Sequence, residues 1–249
     1  MTPEKNFTLL SPVHLATLAV IFLTALFYVS AARHPGPKRW VKPLSVLLAV
    51  VLLGNEIIYI AGAVIKGLWH YSWGVPLQLC DLAIFAVVYS LFRYKPWVWE
   101  LAYFWGLGGT LQAVLTPDLR VTFPEYIYFK FFLTHGCILV GVIFLSAGLK
   151  RPITFHSVIR VWVITNVYAV FIALFNRLFQ TNYLYLCRKP SQPSVLDYFG
   201  PWPEYILGLE FLLIASLVVY YAPYYWIFRR SVNTESGKAK CVKRSVDKN

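Results

Sequence analysis

Seven apolar stretches, each close to the length that crosses a bilayer, fill most of this 249-residue chain. A helix spans the hydrocarbon layer with about 20 apolar residues, at about 1.5 Å of rise each. The segments from Val13 to Ala32, Leu44 to Ile65, Pro76 to Phe92, Trp97 to Thr116, Tyr126 to Leu149, Val158 to Phe179 and Glu204 to Phe228 have this character, the third being the shortest. Hydrophobic residues make up 58% of the chain and charged residues 14%, which excludes an ordinary water-soluble domain. The expected fold class is an all-α membrane protein with seven transmembrane helices. Residues 1–230 form one seven-helix domain, and 231–249 a basic, disordered cytoplasmic tail. The first span has no small-residue cleavage site and its basic residues follow it, so it reads as a retained helix rather than a removed signal peptide.

The net charge of +12 raises nucleic acid as a partner, but the cations lie in membrane-flanking loops rather than along one folded face. Arg33, Lys38, Arg39 and Lys42 follow the first span, Arg93 and Lys95 the third, Lys150 and Arg151 the fifth, and Arg229 and Arg230 the seventh. These are alternate loops and share one side. The positive-inside rule makes that side cytoplasmic, with the N-terminus outside and the C-terminus inside.

Polar groups inside the spans converge on the outer half of the membrane, where they are costly and mark function by default. Asn55 and Glu56 lie about 15 Å below the outer end of the second span, and His135 lies at a similar depth in the fifth. Gln78, Cys80 and Asp81 open the third span, Gln112 closes the fourth, Asn176 and Arg177 close the sixth, and Glu210 starts the seventh. Six spans therefore feed one zone. The bland alternative is interhelical pairing, with Glu56 or Glu210 meeting Arg177 or Lys130.

Of five histidines, only His135 lies deep in a span, which makes it the natural general base. A single deep histidine and the lack of an H-E-x-x-H run argue against a catalytic metal, and no cofactor is implied. Cys137 points about 200° away from His135 around the same helix. Cys80 enters its span where a helix N-terminus stabilises a thiolate, although by depth it sits about 8 Å above His135. Three readings of Cys80 stay open from the residues: nucleophile, inert thiol, or disulfide partner of Cys187. The outer loop from Asn182 to Pro203 is rich in aromatics and prolines and carries Arg188, suiting an interfacial anchor or an ordered lid that meets lipid phosphate. Trp105-Gly-Leu-Gly-Gly-Thr in the fourth span reads as close helix packing or local distortion, with packing favoured.

Leu77-Gln-Leu-Cys80, the Thr116-Pro-Asp-Leu turn, His135, and Asn182-Tyr-Leu-Tyr-Leu-Cys with Gly200-Pro-Trp together resemble the YwaF-type bacterial integral membrane proteins related to the transmembrane protein 164 family. That family is similar in turn to the androgen-induced membrane hydrolases, which use an intramembrane nucleophile and a histidine. Its eukaryotic branch is associated with cysteine-dependent acyl transfer onto lysophospholipids, including ether-linked ethanolamine lipids. The resemblance implies Cys80 as nucleophile, His135 as base and a bacterial plasma membrane as location.

The function expected is thus an intramembrane lipid acyltransferase or acyl hydrolase acting on phospholipid or lysophospholipid near the outer leaflet. Cys80 and His135 are the catalytic pair. Asn55, Glu56, Gln78, Asp81, Gln112, Asn176, Arg177, Asn182, Arg188 and Glu210 are the substrate-binding candidates. The alternative is a proton-coupled transporter or channel with a Glu56, His135 and Glu210 relay, although no internal repeat accompanies it. A seven-helix receptor fits less well, because no Asp-Arg-Tyr follows the third span.

Overall fold

The computed structural model describes residues 7–36, 38–190 and 195–246, with side chains through Trp226. Its helices are α1 (Pro12–Arg33), α2 (Val41–Ile65), the single turn α3 (Tyr71–Gly74), α4 (Leu79–Phe92), α5 (Pro96–Gly108), α6 (Thr110–Leu115), α7 (Tyr126–Ile143, continued by a π-helical turn Phe144–Gly148), α8 (Phe155–Phe179) and α9 (Glu204–Val246). No strand occurs among the described residues. The tail expected over residues 231–249 falls on side chains outside the described set.

Among the described residues, five helices are long and apolar enough to cross a membrane: Pro12–Arg33, Val41–Ile65, Tyr126–Gly148, Phe155–Phe179 and Glu204–Trp226. They differ sharply in burial. The most apolar stretch of α1, α8 or α9 is only 17% buried, against 61% for α7. A helix that is apolar all round yet so exposed is stable only against lipid, so the chain is a multi-pass membrane protein. The centre belongs to α4, α5 and α7. Every residue from Val98 to Gly106 in α5 is buried, and glycines bring the central helices together: a Cβ on Gly106 would lie 2.8 Å from Val142, and one on Gly141 would lie 2.6 Å from Val87.

Of the seven stretches expected to span, the third and fourth take another form. The third yields a 14-residue helix, about 21 Å long and shorter than the hydrocarbon layer. Its start is delayed because Val75, before Pro76, and Gln78 are both extended, with ψ of 129° and 152°. The fourth stretch is interrupted at Gly109, a single turn residue that divides it into α5 and α6 while keeping near-helical φ of −87° and ψ of −38°. Gly106 serves packing as the sequence favoured, while the Gly108-Gly109 pair marks the distortion.

The loops expected to share one side do gather at one end of the bundle. There Arg33 donates to the Ala147 carbonyl, Arg151 to the Arg93 carbonyl, Trp99 to the Pro152 carbonyl, and Tyr224 to the Arg151 carbonyl. Glu100, 5% exposed, accepts two hydrogen bonds from Arg160 at 2.9 and 3.0 Å and one from Ser157 at 2.9 Å. At the opposite end His14 is fully buried; its Nδ1 accepts the Leu10 N–H, so its Nε2 carries the hydrogen given to the Val114 carbonyl at 2.9 Å.

Candidate functional site

The site is built around the start of α4, at the end of the bundle away from the basic loops. Asp81 accepts the Gln78 backbone N–H at 3.1 Å and so fixes where the helix begins. Cys80 is then the second residue of α4, inside the turn whose backbone N–H groups have no partner within the helix. Cys80, Cys137 and Cys187 are all free thiols, so the disulfide alternative for Cys80 is not formed. The Cys80 Sγ lies against the break in the fourth stretch: a Cβ on Gly109 would be 3.0 Å from it. Thr110, the next residue, is fully buried. Its hydroxyl faces the Cys80 thiol but makes no hydrogen bond of good geometry, leaving a buried polar oxygen beside the sulfur.

His135 stands on α7, a helix that packs directly on α4. Its Nδ1 is 2.8 Å from the Phe131 carbonyl one turn earlier, and its ring lies 4.3 Å from that of Phe131. A carbonyl only accepts, so Nδ1 holds the hydrogen and a neutral ring keeps its lone pair on Nε2. That is the tautomer a base needs. No hydrogen bond joins His135 to Cys80 among the described residues.

A cavity of about 260 Å³ at this end is lined by Glu56, Tyr59, Trp73, Gln78, Asp81 and Lys130; neither Cys80 nor His135 is among its lining residues. Lys130 Nζ sits 3.1 Å from Glu56 Oε2 and 4.4 Å from the centre of the Tyr59 ring. Of the pairings open to Glu56 and Glu210, the structure therefore forms Glu56 with Lys130. Asn55, one residue back on α2, donates to the Lys130 carbonyl at 3.2 Å and to Thr134 Oγ1 at 2.7 Å, clamping α2 to α7. Glu210 instead accepts from Trp162 Nε1 and Asn166 Nδ2, which joins α8 to α9.

The outer loop folds back on the same end. Asn176, 1% exposed, donates to the Tyr183 carbonyl at 2.8 Å while its Oδ1 accepts from Thr181 Oγ1 and the Tyr183 N–H. Asn182 Oδ1 accepts the N–H groups of Cys187 and Arg188, and its Nδ2 donates to the Arg188 carbonyl. These amides are committed to the loop backbone. Tyr183 OH donates to the Tyr71 carbonyl at 2.7 Å and accepts the Val75 N–H. Leu184 N–H reaches Gln78 Oε1 at 3.2 Å. Because an N–H donates there, the oxygen of Gln78 faces the loop and its NH₂ is turned away from it.

Cys80, Gln78, Asp81 and Glu56 thus gather at one level, with Asn55 behind them. Gln112, Arg177 and Arg188 are exposed at this end, and Arg177 makes no ion pair among the described residues. Sequence reasoning missed Thr110 and Tyr183. Thr110 was signalled by its place after Gly108-Gly109; Tyr183 lay in a loop whose pattern was noticed but whose partners were not.

No solved structure matches this chain. A protein of Treponema pallidum (strain Nichols), described as uncharacterized, is 28% identical over 156 residues, or 61% of this chain. The chain spans 64% of the length of that relative. The TMEM164 family model matches residues 9–221, and with most of the helical bundle so covered, the chain belongs to the TMEM164 family.

Proposed function

We propose that the protein is an intramembrane lipid acyltransferase or acyl hydrolase in which Cys80 is the nucleophile and His135 the base. The observation that carries this reading is the setting of Cys80: a free thiol in the first turn of α4, set against the Gly109 break and beside the buried Thr110 hydroxyl. In this scheme His135 Nε2 takes the thiol proton, directly or through one water, and the thiolate attacks the acyl carbonyl carbon of a phospholipid. The C–S bond forms as the carbonyl π pair moves to oxygen, and the Gln78 NH₂ donates to that oxyanion. Collapse breaks the C–O bond, and the departing lysophospholipid alkoxide takes the proton from His135. His135 Nε2 then takes the proton of a lysophospholipid hydroxyl or of water as that oxygen attacks the thioester carbon; the C–S bond breaks and the Cys80 thiolate leaves and recovers the proton from His135, giving transfer or hydrolysis.

The Glu56–Lys130 ion pair favours a structural role for Glu56 over a proton relay, since the carboxylate is engaged by a fixed cation. We further propose that α4 and the α5/α6 pair complete seven crossings in a bacterial plasma membrane. The N-terminus lies outside and the end with Arg33, Arg93 and Arg151 faces the cytoplasm.

Proteoliposomes that contain a diacyl phospholipid with an isotope-labelled acyl chain, plus unlabelled lysophospholipid, test the reading. Label in the re-acylated lysolipid means transfer, and label in free fatty acid means hydrolysis. Both should vanish in Cys80→Ala and fall at least 100-fold in His135→Ala. Wild-type turnover in Cys80→Ala would remove the reading.

A further inference from the structure

Threonine hydroxyls inside helices are ordinarily spent on the backbone, because the side chain reaches the carbonyl one turn back. In this chain Thr17 gives its O–H to the Val13 carbonyl, Thr24 to that of Val20 and Thr116 to that of Gln112, at 2.9, 2.7 and 3.0 Å. Thr134 and Thr165 instead accept from Asn55 and Trp105. Thr110 does neither. It is fully buried, and its Oγ1 has no hydrogen-bond partner among the described residues. A buried hydroxyl left in that state is costly and calls for an explanation.

Its neighbour is the sulfur of Cys80. Gly109, the residue before Thr110, comes so close to that sulfur that a Cβ built on it would be 3.0 Å away, and the Thr110 hydroxyl is turned toward the same atom. The titratable groups that act on the sulfur through space are Asp81, next in the chain, Lys130 on α7, and Tyr185 in the outer loop. A neutral thiol is a poor acceptor for an O–H, whereas a thiolate is a strong one.

Resting on the acyl-transfer reading above, we propose that Thr110 is a further catalytic residue, whose hydroxyl donates to the Cys80 sulfur once His135 has taken the thiol proton. The Thr110 O–H bond stays intact throughout; it solvates the charge and gives up no proton. Because the hydrogen bond forms only with the activated sulfur, it lowers the cost of making the nucleophile without stabilising the resting protein. The orphaned oxygen is thereby explained. A hydroxyl committed to the Gly106 carbonyl one turn back would be unavailable when the charge appears.

Two substitutions isolate the hydroxyl: Thr110→Val keeps the shape and removes it, and Thr110→Ser keeps it. Full-length protein in detergent is treated with iodoacetamide over a range of pH, and the adduct on the Cys80 peptide is quantified by mass. Only the thiolate reacts, so the rate follows its fraction. Loss of a donor to the thiolate raises the pKa of the thiol. In Thr110→Val the midpoint should therefore move up by about one pH unit and the rate below it fall about tenfold, while Thr110→Ser stays near wild type. Thr110→Val should also unfold at the wild-type temperature or above it, since a methyl replaces an orphaned polar atom. An unshifted midpoint in Thr110→Val would overturn the assignment, as would an equal shift in Thr110→Ser, a marked loss of stability in Thr110→Val, or a wild-type Cys80 that reacts at no pH. If the shift appears but no acyl group passes from phospholipid to Cys80, the hydrogen bond stands and its catalytic use falls with the acyl-transfer reading.

Discussion

Replacing Gly109 with alanine should separate catalysis from folding. The added Cβ would lie 3.0 Å from Cys80 Sγ, where carbon-sized atoms settle at about 3.5–4.0 Å. The sulfur must therefore retreat by about 0.5–1 Å or change rotamer. A misplacement of about 1 Å in a reacting group costs on the order of 100-fold in rate. Folding should not suffer. Gly109 is at φ −87° and ψ −38°, a conformation open to alanine, and Gly→Ala within helical backbone adds about 0.5–1 kcal/mol of stability. Gly108 supplies the control, because a Cβ there meets nothing within 4 Å. In detergent, Gly109→Ala should unfold at the wild-type temperature or above it while Cys80 acylation drops about 100-fold; Gly108→Ala should keep both. Wild-type acylation in Gly109→Ala would refute the claim that the α5/α6 break positions the thiol.

Other consequences can be read directly. Glu56 and Lys130 are 12% and 19% exposed, so Glu56→Gln or Lys130→Met alone should cost about 2–4 kcal/mol by leaving a charge uncompensated, and the double variant less than the sum, in thermal or denaturant unfolding. Asn176→Ala removes the donor to Tyr183 and the acceptor for Thr181 and Tyr183. It should lower stability by about 2–4 kcal/mol and speed proteolysis of residues 181–190, with little effect on cleavage near the basic end. Since Cys80 and Cys187 are free, intact mass under air should show no loss of two hydrogens, and Cys187→Ser should keep wild-type acylation.

The long helices were legible because lipid imposes a length and an apolar surface that composition alone reports; α1, α2, α7, α8 and α9 follow the expected stretches. The two central elements were less legible, since burial by protein rather than lipid relaxes the length requirement. That is why α4 can stop at 14 residues and why the fourth stretch can break at Gly109. Depth counting set Gln78, Cys80 and Asp81 near one end with Glu56 deeper, but it says nothing of azimuth. The Glu56–Lys130 pair was therefore one option among several, and Glu210 joined Trp162 and Asn166 instead of a cation. Asn176 and Asn182 looked like substrate donors by type and position. Their partners are the Thr181 hydroxyl and backbone groups of a loop whose left-handed turns at Leu184 and Tyr185 leave no mark in residue identity. The pair between buried Glu100 and exposed Arg160 went unread because partners 60 residues apart share no local pattern.

The most direct test of the central claim is to trap the acyl-enzyme. Wild type, Cys80→Ala and His135→Ala are incubated in detergent with a phospholipid carrying an isotope-labelled acyl chain, quenched in acid and weighed intact. The account predicts the acyl mass on wild type, released by neutral hydroxylamine as a thioester, absent from Cys80→Ala and strongly slowed in His135→Ala. An unmodified wild type under conditions where lipid turns over, or the same adduct on Cys80→Ala, would contradict it.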